Sequence, residues 1–65
     1  MTTDEMLSLK KGDKVYWKRD KTVWKVLNIK TERHNGEPIT YAKIRRKEET
    51  LYFAFPEDLD LYMSL

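Results

Sequence analysis

The strongest constraint on the fold is an Asn-Gly pair set between two stretches rich in β-branched and aromatic residues. TVWKVLNIK (22–30) precedes the polar segment TERHNGEP (31–38), and ITYAKIRRK (39–47) follows it. Asn and Gly both reach positive φ readily, as the tight turn of a two-stranded ribbon requires. Asn35-Gly36 therefore predicts a hairpin, with residues 31–38 as its loop. Pro38 is expected to open the next strand, where its missing N–H is tolerable.

The same texture recurs on both sides. Gly12-Asp13 is a turn signal ahead of an alternation that puts Val15 and Trp17 on one strand face and Lys14, Tyr16 and Lys18 on the other. Arg19-Asp20-Lys21 makes a compact break. In the second strand Trp24 and Val26 share one face while Val23, Leu27 and Ile29 share the other, so a bulge near Val26-Leu27 is expected. Ala42 and Ile44 oppose Tyr41, Lys43 and Arg45 in the third strand. KEET makes a turn and LYFAF a short apolar strand. Pro56, with its φ already helical, and Glu57-Asp58 at the positive end of a helix dipole predict one 3-10 turn. LDLYM closes the chain as a fifth strand beside the first. Residues 1–9 are a lead-in whose DEMLSL forms a helical turn or packs across one end, and residues 10–65 form the domain. The expectation is all-β, a single five-stranded antiparallel barrel closed on itself to remove exposed edges. Its core is expected to hold Val15, Val26, Ala42, Ile44, Phe53, Leu59 and Leu61, with Trp17 and Trp24 packed in the core or at a barrel end.

GDKV at the head of the first strand, VWKV in the second and the terminal FPEDLDLY together resemble the SH3-like small-barrel superfamily, nearest in texture to its Tudor-type and KOW-type members. The likeness runs over residues 10–63. It implies a 3-10 turn with a buried leucine before the last strand, and a role in binding RNA, DNA or peptide or in building an assembly. Tudor-type aromatic cages would draw on Trp17, Trp24 and Tyr41. The chain departs from the KOW pattern in having no glycine between Gly12 and Gly36. Short single-barrel chains of this kind are similar to proteins of bacteria and their phages.

Catalysis is not expected. The one histidine, His34, falls at a loop tip, and Ser8 and Ser64 lie near the chain ends with no base placed beside them. Glu48-Glu49 and Glu57-Asp58 are explained by a solvated turn and a helix first turn. The absence of cysteine removes thiolate metal sites and disulfides, and no spaced histidine set replaces them, so neither metal nor cofactor is expected. A reducing cytoplasm is the simplest location. No apolar run approaches the ~20 residues of a membrane span.

Charge is segregated. Residues 10–47 hold all 13 Lys and Arg for a net of +9, while residues 1–9 carry −2 and residues 48–65 carry −5. Lys43, Arg45, Arg46 and Lys47, with Lys25 near them if strands two and three are neighbours, are the candidate polyanion contacts. Tyr41 shares the face of Lys43 and Arg45 and would stack on bases. The plain alternative is a solvated barrel face answered by the acidic tail. From another class, Tyr16, Tyr41 and Tyr52 are candidates for recognition of a protein, an acidic one included, and a third reading is a homo-oligomer subunit joined through an edge strand.

Overall fold

The computed structural model of the chain describes residues 1–62, the Tyr52 side chain excepted. A short helix, α1 (Thr3–Leu7), precedes five strands: β1 (Lys14–Trp17), β2 (Thr22–His34), β3 (Glu37–Arg46), β4 (Glu49–Ala54) and β5 (Leu59–Leu61), with a 3-10 turn at Pro56–Asp58. The strands form one antiparallel sheet in the order β4-β3-β2-β1-β5. The expected pairing of the last strand with the first is present, with Val15 opposite Leu61 and Trp17 opposite Leu59.

The architecture differs from expectation in two ways. First, the sheet is open, not a closed barrel: β4 and β5 are its two edges. After Ala54 the chain leaves the ladder through Phe55 and Pro56, which lacks an N–H, and the 3-10 turn separates the two edge strands. Leu61, expected in the core, is 38% exposed on the edge strand β5, which among the described residues pairs only with β1. The lead-in does much of the covering. Thr2 caps α1 through the Glu5 N–H, and the Glu5 carboxylate accepts from the Thr2 N–H, a capping box. Met6 is thereby carried into the core, where it is fully buried. The Met1 amino group donates to the carbonyls of Pro56, at 3.0 Å, and Leu59, at 2.5 Å.

Second, residues 31–38 are mostly strand, not loop. β2 and β3 run to a two-residue turn in which Asn35 and Gly36 have φ of 53° and 82°. These side chains are polar and exposed on both faces, so no hydrophobic alternation announces a strand; the ladder is carried out by the register that the turn fixes. Pro38 lies opposite Arg33. That pair is one step from the hydrogen-bonded pair flanking the turn, so the missing N–H faces away from β2.

The core holds Met6, Val15, Trp24, Val26, Ala42, Ile44, Ala54 and Leu59. Trp17, Ile29 and Leu51 pack against it. The buried Trp24 indole N–H donates to the Thr22 hydroxyl at 2.8 Å, and that hydroxyl donates on to Asp20. Phe53, expected inside, is instead 59% exposed. A register shift between Ala42 and Ile44 places Ala54 opposite Ala42 and Leu51 opposite Ile44, so β4 has one residue too many here. The bulge puts Phe53 at φ 65° and gives its inward place to Ala54. Among the described residues no helix is long and apolar enough to cross a membrane.

Candidate functional site

The outer face of the sheet is set by what the inner face buries. Because Ala42 and Ile44 point inward, Tyr41, Lys43 and Arg45 point outward. On β2 the expected bulge lies between Val26 and Asn28. It resets the alternation, so Val26 and Ile29 both serve the core. Lys25 therefore comes to the same outer face as Asn28 and Lys30. On β1, burial of Val15 turns Lys14 and Tyr16 outward.

The registers then align three cations. Lys14 is directly opposite Lys25, and Lys25 is directly opposite Arg45. The row crosses three adjacent strands. Its end cations, in alternate strands, stand about 10 Å apart at the backbone. Like charges directly opposite one another destabilise a sheet. Among the described residues the ion pairs are Lys18–Asp60 at 3.6 Å and Arg46–Glu49 at 3.5 Å, and neither touches the row. Among the described residues, the acidic C-terminal segment thus answers some of the basic charge through Asp60 and Glu49 but makes no ion pair with this row. Arg45 Nε donates to the Lys47 carbonyl at 2.9 Å, which holds the guanidinium stem at the β3–β4 turn.

Aromatic pairs lie at both sides of the row. Tyr16 and Tyr62, just past β5, have ring centroids 5.1 Å apart, and Lys14 Nζ is 5.6 Å from the Tyr62 centroid. In the other direction, past Asn28 and Lys43, the rings of Tyr41 and Phe53 are 5.0 Å apart and tilted by 45°. The Tyr41 hydroxyl donates to Glu32 Oε1 at 2.8 Å. That bond, ahead of burial and the carboxylate charge, raises the phenol above its ordinary ionisation range.

No protein-family model, curated protein or solved structure matches the chain.

Of the residues singled out in the sequence, Lys25, Tyr41, Lys43 and Arg45 share one face. Arg46 does not. It lies on the Ile44 side of β3, with its guanidinium carbon 5.3 Å from the Trp24 ring centroid and its Nη2 on Glu49. It covers the end of the core, and that is a structural duty. Lys47 occupies the β3–β4 turn at φ 54°. Tyr16 belongs to the outer face, beside Tyr62. The Tyr52 side chain lies outside the described residues. Lys14, Lys30 and Glu32 join the face without having been singled out, Phe53 joins it from its expected place in the core, and Tyr62 joins it as one of the chain's four tyrosines. Lys14 was legible on the face of Tyr16, but its alignment with Lys25 follows from the four-residue turn 18–21, in which Lys21 takes φ 57°.

Proposed function

We propose that this chain is a non-catalytic module that binds nucleic acid through the outer face of its sheet, without strong sequence preference. The carrying observation is the Lys14–Lys25–Arg45 row, three cations in direct cross-strand register with no carboxylate paired to them among the described residues. The repulsion such a row costs the free domain is relieved by a polyanion, whose phosphates neutralise the lysines and release counterions. The flanking rings add base stacking, which every base accepts through its π-face, so sequence preference is weak. The placement of β5 beside β1, behind a 3-10 turn with the buried Leu59, supports an SH3-like architecture with an open seam.

The test is titration of labelled oligonucleotides against the parent and a Lys25→Glu/Arg45→Glu variant. Binding by the parent and its loss in a variant that still melts cooperatively supports the reading. Equal binding by the parent and the variant, or none by the parent, refutes it.

A protein partner is the second reading, favoured by one feature. The depression lined by Tyr16, Trp17, Lys18, Lys21 and Asp60 carries mixed charge beside aromatic surface, as protein interfaces do.

A further inference from the structure

Phe53 breaks two rules at once. It is a bulky residue at positive φ, where a Cβ clashes with the following carbonyl, and it presents 59% of its surface to solvent. Asn or Gly would occupy this bulge at lower conformational cost, and a polar side chain would remove the exposed apolar surface. What the chain gains from phenylalanine here is a ring held against Tyr41 on the basic face, next to Lys43 and Lys30. Strained backbone conformations cluster at ligand-binding and active sites.

From this we infer that the ligand is single-stranded nucleic acid, with an unpaired base stacked on the Tyr41–Phe53 pair while its backbone follows the Lys14–Lys25–Arg45 row. The inference rests on the nucleic-acid reading and narrows it. A duplex keeps its base faces inside its own stack and offers none to an aromatic platform; a single strand offers every one. The tyrosine hydroxyl is fixed by Glu32, so that ring is already oriented before a base arrives. The feature best shaped for a duplex is the protruding β2–β3 ribbon, since two strands fit a major groove. Its far end carries Glu32 and Glu37 against Lys30 and Arg33, which leaves no net positive charge to meet phosphates. Tyr16 lies on the opposite side of the row from Tyr41. The path between the two aromatic pairs is about 20 Å, a reach of a few nucleotides.

The experiment compares three labelled ligands of about ten nucleotides, the middle of the range of about 4–16 that a small single-strand-binding β domain covers: oligo-dT, an abasic strand of the same length, and a duplex. Each is titrated against the parent and Phe53→Asn. The expected parent order is oligo-dT tightest, with the abasic strand and the duplex weaker. Phe53→Asn should lose roughly five- to a hundred-fold on oligo-dT, as removal of one stacking ring does, and change little on the abasic strand. It should melt at or above the parent temperature, because Asn tolerates positive φ; a ring kept for packing would give the opposite result. If the parent binds all three ligands equally, the single-strand inference falls and the nucleic-acid reading stands. If the parent binds none, both fall. Undiminished oligo-dT binding by a folded Phe53→Asn protein also overturns the inference. The parent comparison decides the matter by itself if the variant does not fold.

Discussion

Truncation of Met6 to alanine tests whether α1 completes this fold or merely precedes it. Met6 is fully buried and belongs to the same cluster as Ile44, Val26 and Leu59. Replacing a buried methionine by alanine removes the transfer free energy of its missing atoms and leaves a cavity, together about 2–5 kcal/mol. A chain of 65 residues has a total stability of roughly 3–10 kcal/mol, so the loss is a large share of the whole. For a domain of this size each kcal/mol moves Tm by about 4–8 °C, which puts the expected fall at about 8–40 °C. Leu7 is the internal control: it sits next to Met6 on the same short helix but is 53% exposed. Leu7→Ala should shift stability by less than about half a kcal/mol. The assay is thermal and denaturant unfolding followed by far-ultraviolet dichroism and by fluorescence of Trp17 and the buried Trp24. If Met6→Ala melts within a few degrees of both Leu7→Ala and the parent, then α1 does not seal the open sheet and the account of the core is wrong.

Leu59→Ala, which removes a fully buried side chain at the head of β5, should cost about 2–5 kcal/mol in denaturant unfolding; a loss below about half a kcal/mol would contradict its core position. Asp20 is held below the ordinary carboxylate range first by the Thr22 hydroxyl, and Glu5 first by the Thr2 N–H. Depressed folded-state values mean stability that is present above the unfolded pKa and lost as pH falls through the folded one, so melting in acid should fall less steeply for Glu5→Gln/Asp20→Asn than for the parent. Lys25→Glu should raise Tm at low salt by turning two repulsive cross-strand pairs into attractive ones, and the gain should shrink as salt is added. A Lys25→Glu protein that melts lower than the parent at low salt would show that the row carries no repulsion.

What the sequence reveals here is what local chemistry decides. Asn35-Gly36 marks its turn because few residues reach positive φ twice in succession, and the Val26-Leu27 bulge is legible because two apolar faces compete within one strand. The pairing of β5 with β1 follows from a short apolar strand placed after a proline-started turn. Faces that depend on irregularities are harder to read. A regular alternation in LYFAF puts Phe53 inside, and only the bulge opposite Lys43 turns it out. Arg46 groups with Arg45 and Lys47 along the chain, yet strand geometry puts it on the Ile44 side, over Trp24. Met6 gave little signal because one buried side chain on a five-residue helix makes no periodicity. The cation row is a property of register. Neither Lys14, Lys25 nor Arg45 is unusual alone; turn lengths and a bulge bring them abreast.

The most direct measurement is the salt dependence of oligonucleotide affinity for the parent chain and for a triple Lys14→Gln/Lys25→Gln/Arg45→Gln variant. If each row cation neutralises one phosphate, log K falls linearly with log salt, and the row contributes about −2 to the slope on a single strand, at about −0.7 per phosphate. The triple variant should therefore lose about two units of slope and most of its affinity while keeping the parent's dichroism spectrum. A parent slope near zero, or a triple variant with the parent's slope, would contradict the assignment of this face as a polyanion-binding surface.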